Sequence, residues 1–498
     1  MGLLSQLSIP YAKWMAKQNK KWIDNPIHFQ EKTFKYLLNK AKNTSFGKEH
    51  DFKNIASYED FKKMVPVRDY EGLKKYIFKM LDGQENVLWP KKPMYFSKTS
   101  GTTSGSKYIP ISKESMPYHL KGAKDALLSY IAESGDSSFV SGKTIFIQGS
   151  PSLDFSKGVP IGRLSGIVAH HLPFYLKSNN LPSFKTNCLE DWEEKINTIV
   201  EETVGQNMSL ISGIPPWVQM YLEKIHQKTG KNIKQVFPNF NLFVYGGVNY
   251  KPYKKRFLEL IGQEINSVET YPASEGFIAY QDSQSQESLL LCVNHGIFYE
   301  FIESAHFFDK SPNRISLKDV RIGVDYVVIL NTNAGLWGYN IGDTVRFVST
   351  KPYRLVVSGR IKHFTSAFGE HVISKEVEKA LFEATKKQEV VVQEFHVAPQ
   401  VNPPSGLPYH EWFIEFEVAP KNETEFAKDL DAQLQLQNSY YKDLIQGKVL
   451  RPLVIRKVKK GGFYNYMKSV GKLGGQNKPP RLANNRKLAD QLIPYIDA

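Results

Sequence analysis

The sequence predicts an α/β protein, with a large N-terminal domain of mixed sheets and helices and a small α+β domain at the C-terminus. Beyond residue 95, short apolar runs alternate with helical ones, as in "KTIFIQGS" (143–150), "LEDWEEKINTIVEETV" (189–204) and "MSLISGIP" (208–215). This alternation is typical of βαβ units and predicts a largely parallel sheet. From about residue 286, strand-like runs such as "GIFYEFIE" and "DYVVILNT" follow one another and predict antiparallel pairing.

The first ninety residues predict a layer of amphipathic helices. Lysines, glutamates and aromatic residues recur at helical spacing in "HFQEKTFKYLLNKAKN" and "SYEDFKKMV", and Ser57, with Asp60 in the first turn, fits a helix N-cap. In the α/β region, a helix is expected over "PWVQMYLEKIHQKTG" (216–230) and a strand over "NLFVYGG" (241–247).

A domain boundary is predicted near "SGRIKHF", residues 358–364. It separates an N-terminal domain (1–357) and a hinge (358–362) from a C-terminal domain (363–498). The last part reads as a helix in "SKEVEKALFEATKKQ", strands in "EVVVQEFHVA" and "HEWFIEFEVA", one long helix in "ETEFAKDLDAQLQLQNSYYKDLI" and a strand in "VLRPLVIRKV".

Composition narrows the class of protein. The chain has 498 residues, 41% of them apolar, and 65 basic against 50 acidic side chains, a net charge of +15. No stretch approaches the ~18 uncharged apolar residues that span a bilayer, and the N-terminus lacks a signal peptide's order. Cys188 and Cys292 have no metal-type spacing. A reducing cytoplasm fits these cysteines, so we expect a cytoplasmic protein. The basic excess alone does not decide among nucleic acid, a membrane surface and an anionic small molecule as the partner. With the motifs described below, we expect a monomer that binds neither a membrane nor nucleic acid.

The stretch "YFSKTSGTTSGSKYIPIS" (95–112) concentrates hydroxyl groups and glycines around one lysine. Glycines let backbone N–H groups approach a ligand, and such concave backbone with hydroxyls and a cation suits a polyphosphate. The spacing does not fit the P-loop pattern, because Lys107 is followed by Tyr108. A polar turn is the alternative. The candidate phosphate ligands are Ser100, Gly101, Thr102, Thr103 and Lys107.

Three further stretches end apolar strands in groups that suit a nucleotide. "LFVYGGVNY" ends in bare backbone, where a flat base could lie beyond the strand's carboxyl end. "YPASE" offers Tyr271 as a stacking face and Glu275 as a carboxylate for Mg²⁺. "YNIGD" places Asp343 where an acidic residue could accept hydrogen bonds from the hydroxyls of a ribose. The alternative is a tight turn for the glycines and for Asp343, and an ordinary surface charge for Glu275.

Taken in order, "TSGTTSGSK", "YPASE", "YNIGD" and "SGRIK" resemble motifs of the acyl-adenylate-forming superfamily. The closer resemblance is to the Gretchen Hagen family of acyl acid amido synthetases, also called the auxin-responsive promoter family. It extends from "NTSFGKEHDF" to "NKPPRL", over almost the whole chain. It implies an adenylate-forming fold with a mobile C-terminal domain.

The resemblance also implies roles for individual residues. The hydroxyl loop would hold ATP phosphates, Glu275 would hold Mg²⁺ and Asp343 the ribose. The late lysine, Lys478, would approach the nucleotide when the C-terminal domain closes, and Arg360 and Lys362 would lie in the hinge. Adenine would contact Gly246, Gly247, Val248 and Tyr271, with Ser274 beside the nucleotide, and the acyl-acid pocket would include Ile214, Pro215 and Trp217.

The implied activity is a ligase that uses ATP and Mg²⁺ to join a carboxylic acid to an amino acid through an acyl-adenylate. No protein nucleophile is needed, and the sequence contains no G-x-S-x-G elbow. Pro272 stiffens the "YPASE" turn. Two alternatives stay open: a CoA ligase with the same first half-reaction, and a nonenzymatic nucleic-acid binder using Phe463, Tyr464 and Tyr466 in the basic C-terminal tract.

Overall fold

The computed structural model describes residues 3–100, 106–172, 179–189, 191–247, 250–361, 364–365, 372–400, 403–446, 450–473, 478–483 and 485–497. The chain divides into two compact units. The first comprises Met1–Ile341 with Val345–Val356, and the second comprises Gly342–Thr344 with Val357–Ala498. The hinge predicted at 358–362 stays a prediction.

The first unit opens with the predicted layer of helices. Ser57 caps one of them: its Oγ accepts a hydrogen bond from the Asp60 N–H at 3.1 Å, and Asp60 Oδ2 accepts one from the Ser57 N–H at 3.0 Å. This reciprocal pair is a capping box, so the predicted N-cap is confirmed. The helices are α1 (Leu3–Ile23), α2 (Pro26–Ala41), α3 (Ser45–Glu49), α4 (Tyr58–Met64) and α5 (Tyr70–Leu81).

A twelve-stranded mixed sheet forms the core of the first unit, in the order β13-β12-β14-β15-β16-β11-β10-β9-β8-β7-β3-β6. One half is parallel, as predicted: β8 pairs with β7 and β9 in parallel, and β7 with β3. From β10 onward the described pairs are antiparallel. The strands are β3 (Lys143–Ile147), β6 (Asn180–Leu181), β7 (Met208–Gly213), β8 (Leu242–Gly246), β9 (Asn266–Ala273), β10 (Gly276–Tyr280), β11 (Leu289–Leu291), β12 (Ile297–Glu303), β13 (Arg314–Ser316), β14 (Asp325–Thr332), β15 (Tyr339–Thr350) and β16 (Tyr353–Arg360).

Helices alternate with the parallel strands, as the sequence predicted. The helix predicted over 216–230 begins one residue earlier, because Pro215 has no N–H to lose in a first turn. The helices are α6 (Met116–Ser134), α7 (Leu164–His170), α8 (Phe184–Asn187), α9 (Trp192–Thr203), α10 (Pro215–Thr229), α11 (Ile233–Val236) and α12 (Lys254–Ile261). No helix of the described chain is long and apolar enough to cross a membrane.

A second sheet of four strands, in the order β2-β1-β5-β4, was not predicted from the sequence. Its strands are β1 (Tyr95–Ser100), β2 (Ser106–Ile111), β4 (Asp154–Ser156) and β5 (Val159–Gly162). Strand β2 lies at the edge and contains Pro110, opposite Phe96 of β1. The side chains of Phe96, Ile109 and Ile111 are fully buried, so the hairpin is anchored in the core of its unit.

The second unit contains a three-stranded sheet, β19-β20-β21, covered by helices. The single helix predicted over 423–445 is two helices, because Asn438 is extended and its Oδ1 accepts a hydrogen bond from the Tyr441 N–H at 2.7 Å. The elements are β17 (Phe364–Thr365), β18 (Val372–Ile373), α13 (Ser374–Gln388), β19 (Val391–Gln400), β20 (Tyr409–Val418), α14 (Glu423–Gln437), α15 (Ser439–Gln446), β21 (Val454–Val458), α16 (Gly462–Ser469) and α17 (Lys487–Leu492).

Candidate active site

The hydroxyl-rich stretch forms the end of the β1–β2 hairpin. The two strands pair in antiparallel register from Tyr95 opposite Ile111 to Ser100 opposite Ser106. The backbone of Ser100 closes β1, while the predicted phosphate ligands Gly101, Thr102 and Thr103 lie outside the described residues. The described residues on either side of the predicted loop, Ser100 and Ser106, therefore lie side by side.

Helix α5 fixes the descending strand of the hairpin. The Tyr70 hydroxyl accepts a hydrogen bond from the Tyr108 N–H at 3.0 Å, and Lys107 Nζ lies 5.7 Å from the centre of the Tyr70 ring. A cation at this distance from an aromatic face is attracted by the ring's quadrupole. Lys107, the predicted phosphate ligand, is thus positioned one residue beyond Ser106, where the loop returns to the sheet.

The hairpin is joined to the "YPASE" turn by a pair of serines. Ser97 Oγ on β1 and Ser274 Oγ lie within hydrogen-bond distance, at 2.8 Å, although they are separated by 177 residues in sequence. Ser97 is fully buried. This bond brings the first and second predicted motifs together in space.

Glu275, the predicted Mg²⁺ ligand, contacts the third motif. The Tyr339 hydroxyl hydrogen-bonds its carboxylate, and burial together with that negative charge raises the pKa of Tyr339 well above its ordinary value. Tyr339 also forms an isolated parallel bridge with Arg68, and the Asn340 N–H donates to the Arg68 carbonyl at 2.7 Å. The start of "YNIGD" is therefore held on both sides.

Strand β8 ends at two glycines, Gly246 and Gly247, where adenine was predicted to bind. A Cβ added at Gly246 would lie 2.4 Å from the Thr270 carbonyl oxygen, closer than real side chains approach, and Gly247 has a φ of +73°. Both positions therefore require glycine. Tyr271 follows Thr270 on the neighbouring strand β9 and is largely buried. Val248 lies outside the described residues.

Glu269 also lies in this region, although it was not among the predicted site residues. Tyr245 and Glu269 face each other on β8 and β9, and the Tyr245 hydroxyl donates to Glu269 Oε2 at 3.4 Å. Burial raises the pKa of Glu269 to about 7, although the Tyr245 hydrogen bond and Lys251 oppose the shift. Its position two residues before Tyr271, on an apolar strand, was the available signal.

The predicted acyl-acid pocket residues lie where β7 gives way to α10. Ile214 caps the helix, Pro215 begins it, and the Trp217 N–H donates to the Ile214 carbonyl at 2.9 Å. Trp217 is 7% exposed, so its indole is part of the interior. Gly213, at the end of β7, pairs with Ile147 at the end of β3. These residues sit at the carboxyl edge of the parallel strands, where open α/β sheets bind ligands.

The remaining predicted residues belong to the second unit. Asp343 is buried in the short piece Gly342–Thr344, which is tied to the later chain by a 2.6 Å bond from the Ile361 N–H to the Gly342 carbonyl. The backbone of Arg360 ends β16, and Lys362 lies outside the described residues.

Lys478 is half-buried and precedes a firmly held segment. The Pro480 carbonyl lies 2.5 Å from His396 Nδ1, and the Val397 N–H donates to the Arg481 carbonyl at 2.9 Å. Arg481 itself forms ion pairs with Glu394 and Glu378, at 3.1 and 3.3 Å. The chain that leaves Lys478 is therefore anchored alongside β19.

The sequence matches the GH3 family over three segments. Residues 15–187 match the GH3 family N-terminal domain, residues 290–360 its central domain and residues 375–487 its C-terminal domain. The chain belongs to the GH3 family. This confirms the resemblance to the Gretchen Hagen family.

Two curated GH3 relatives and one solved GH3 structure are similar to the chain. An indole-3-acetic acid-amido synthetase of Arabidopsis thaliana is 23% identical and spans 92% of this chain and 89% of its own length. A jasmonoyl-L-amino acid synthetase of Nicotiana attenuata is 21% identical over 64% of this chain and 66% of the relative. The structure of the GH3.15 acyl acid amido synthetase superposes with a TM-score of 0.82 at 16% identity, over 98% of this chain and 96% of that one.

Proposed function

We propose that this GH3 protein is an ATP-dependent acyl acid amido synthetase. It activates a carboxylic acid as an acyl-adenylate and transfers the acyl group to the amine of an amino acid. The observation that carries this proposal is the meeting of three motifs in the first unit, through the Ser97–Ser274 pair and the Glu275–Tyr339 hydrogen bond. Membership of the GH3 family, whose named relatives are amido synthetases, supports it.

The first half-reaction solves the problem that a carboxylate is a poor electrophile. A carboxylate oxygen attacks the α-phosphorus of ATP, the bond from that phosphorus to the bridging oxygen breaks, and pyrophosphate leaves. The hairpin tip and Lys107 are proposed to bind the phosphates, and the Gly246–Gly247 backbone and Tyr271 to enclose adenine. Ser274 would lie beside the nucleotide, and Asp343 would accept the ribose hydroxyls. Fixed donors aimed at developing negative charge are the main catalytic contribution such a site can make.

The residues around Glu275 fit Mg²⁺, which takes oxygen ligands and needs only one or two carboxylates beside substrate oxygens. Glu275 is oriented by Tyr339 and adjoins the Ser274 hydroxyl. Bound there, Mg²⁺ would neutralise negative charge on the phosphates. Within the part of the chain that the structure describes, no cluster of three or more His, Cys, Asp or Glu side chains offers an all-protein metal cage.

In the second half-reaction the amine attacks the acyl carbon, the bond from that carbon to the AMP oxygen breaks, and the nitrogen loses a proton. Closure of the C-terminal domain about Arg360 and Lys362 is proposed to bring Lys478 to the nucleotide and to exclude water from the adenylate. Ile214, Pro215 and Trp217 are proposed to line the acid pocket. We further propose that the protein works in the cytoplasm as a monomer.

The nucleic-acid alternative loses two of its three rings, because the Phe463 and Tyr466 side chains are 4% and 9% exposed and pack in the interior of the second unit, while Tyr464 is half-buried. Stacking on single-stranded nucleic acid requires exposed rings. The CoA ligase alternative shares the first half-reaction and differs only in the acceptor.

A two-stage assay tests the proposal. Pyrophosphate release is measured over a panel of acids with ATP and Mg²⁺, and the best acid is then offered amino acids or CoA. We expect acid-dependent release and an amide that mass spectrometry identifies. A thioester in place of the amide would establish the CoA ligase. If none of the acids in the panel causes pyrophosphate release and ATP binding is undetectable, the proposed adenylation itself is overturned.

A further inference from the structure

One face of helix α1 presents large apolar side chains to solvent. Leu7, Tyr11 and Trp14 are 58%, 41% and 54% exposed. They follow one another at intervals of four and three residues, so they lie on the same face of the helix. The Tyr11 and Trp14 rings stack with their centres 5.9 Å apart. These three side chains form an apolar stripe along the outside of the first unit.

The opposite face of α1 fixes the helix to the first unit. Ala12 and Trp22 are 0% and 3% exposed and belong to the main hydrophobic core of that unit. Ser5 is also buried, and its hydroxyl donates to the Ser137 carbonyl at 2.7 Å. The core therefore packs on a different face from the apolar stripe, which stays exposed while the helix is held in place.

Exposed lysines accompany the apolar stripe. Lys17 and Lys21 lie three and seven residues beyond Trp14, so they continue the same side of the helix, and Lys13 and Lys20 are exposed beside them. The helix contains no aspartate or glutamate. The lysine ion pairs in the described part of the first unit are formed by other elements. The face therefore carries positive charge that α1 does not balance.

Helix α6 adds a fifth cation at the same place. The exposed Lys124 Nζ donates to the Tyr11 hydroxyl at 2.7 Å, at the edge of the apolar stripe. A lysine that bonds the polar tip of a tyrosine leaves the apolar body of the ring available for contact. The surface thus combines a row of apolar side chains with cations from two helices.

This combination of groups discriminates among partners. A second copy of the chain would bring lysines against lysines, and like charges across an interface are costly. Lysine is also depleted in the cores of protein–protein interfaces. Nucleic acid would pair with the lysines but would leave Leu7 in water, because that binding depends mainly on phosphate charge. A bilayer that contains anionic lipids offers both an apolar layer and negative charge above it.

We propose that this face of α1, the apolar stripe with its lysines, binds the surface of a membrane that contains anionic lipids. Leu7 and Trp14 would enter the boundary between headgroups and acyl chains, where tryptophan and tyrosine are favoured, and the lysines would contact lipid phosphates. A helix that lies along the surface in this way needs no spanning segment. The inference replaces the expectation from the sequence that the protein binds no membrane, and it does not depend on the proposed adenylation.

Co-sedimentation of the full chain with vesicles tests the inference. One set of vesicles is phosphatidylcholine alone, and the other is phosphatidylcholine mixed with phosphatidylglycerol. One double variant shortens the apolar stripe and another reverses two charges beside it: Leu7→Ala/Trp14→Ala and Lys17→Glu/Lys21→Glu. The matched controls make similar changes at exposed positions of the second unit: Phe382→Ala/Leu436→Ala and Lys421→Glu/Lys428→Glu.

We expect the parent to bind the anionic vesicles at least about tenfold more tightly than phosphatidylcholine alone, and more weakly as the salt concentration rises. Each α1 variant should bind the anionic vesicles at least about tenfold more weakly than the parent, because one loses buried apolar area and the other loses attraction to the lipids. Both controls should bind like the parent. Thermal unfolding and acid-driven pyrophosphate release should be unchanged in all four variants, so loss of vesicle binding is separated from loss of fold or activity.

Three results would overturn the inference: no sedimentation of the parent with anionic vesicles, parent-like binding by either α1 variant, or an equal loss of binding in the controls. Duplex DNA is offered in parallel to the parent and the variants. DNA binding that requires Lys17 and Lys21 but not Leu7 and Trp14, without vesicle binding, would assign the face to nucleic acid and would also overturn the membrane contact.

Discussion

The hydroxyl oxygens of Ser97 and Ser274 lie 2.8 Å apart and join the hairpin to the "YPASE" turn. This bond spans 177 residues of sequence, so its contribution is a tertiary one. A hydrogen bond between partly buried hydroxyls contributes about 1 kcal/mol to stability.

Single and double alanine variants of these serines should therefore be non-additive. We expect Ser97→Ala and Ser274→Ala each to lower the free energy of unfolding, with a coupling energy of about 1 kcal/mol in the double-mutant cycle. Urea unfolding measures it. Ser152→Ala, which removes an exposed partner of the Ser150 hydroxyl, serves as control and should change stability little. A coupling energy of zero would mean that the two hydroxyls do not interact.

Glu275 and Tyr339 should differ in their effect on adenylation. Glu275→Gln removes the proposed metal ligand and should slow pyrophosphate release at least about a hundredfold, with a higher Mg²⁺ requirement. Tyr339→Phe removes only the hydrogen bond that orients the carboxylate, a loss of about 1 kcal/mol or roughly fivefold. Glu85→Gln, at an exposed position, is the control. A full rate for Glu275→Gln would remove this residue from the metal site.

Asp343→Ala should weaken nucleotide binding. If the carboxylate accepts the ribose hydroxyls, its loss costs about 1.5 to 3 kcal/mol, the range for hydrogen bonds to a charged group. Calorimetric titration with ATP and Mg²⁺ measures the change, and Asp309→Ala, an exposed aspartate, is the comparison. Unchanged affinity would exclude Asp343 from the ribose role.

Lys478→Ala should slow adenylate formation without weakening ATP binding. A lysine that reaches the nucleotide only after closure stabilises the transition state alone, and a tenfold loss corresponds to about 1.4 kcal/mol. Acid-driven pyrophosphate release and ATP calorimetry are measured together, beside Lys472→Ala, which removes an exposed lysine of the same basic tract. If release is as fast as in the parent, Lys478 is a surface charge.

Glu269 should make stability fall as the pH rises. Its pKa is raised to about 7 in the folded state, so the folded protein binds a proton more tightly than the unfolded chain does. The stabilisation this provides is complete below about pH 4.5 and is lost as the pH rises through 7, by about 3 kcal/mol in all.

Urea unfolding at pH 5, 6 and 7.5 compares the parent with Glu269→Gln, whose stability should vary less over this range. Glu264→Gln, at an exposed position of the same unit, is the control. Parallel pH profiles for the parent and Glu269→Gln would show that Glu269 titrates normally.

Local chemistry made much of the fold predictable. The helix start at Ser57 could be predicted because its capping hydrogen bonds join residues only three apart in sequence. Strands β7 and β8 could be predicted because their own segments are apolar. The prediction of one long helix over 423–445 was wrong because the Asn438 side chain accepts a hydrogen bond from the Tyr441 backbone N–H, in place of a helical carbonyl.

The candidate site was less accessible to sequence reasoning. The order of the motifs indicated which residues belong together, but the partner of Ser97 depends on how two sheets meet, and nothing near residue 97 encodes Ser274. The raised pKa of Glu269 depends on its burial by residues distant in sequence, which the pattern of residues along the chain does not show. Long-range contacts and burial set both properties.

Pro110 has a consequence for solubility. It is a buried residue of the edge strand β2, opposite Phe96 at the end of the hairpin away from the tip, and it carries no N–H. An exposed sheet edge can template the strand of another chain, and proline on the edge removes a donor that such pairing needs. The strand that leads away from the hydroxyl loop therefore does not offer a complete row of donors to another chain.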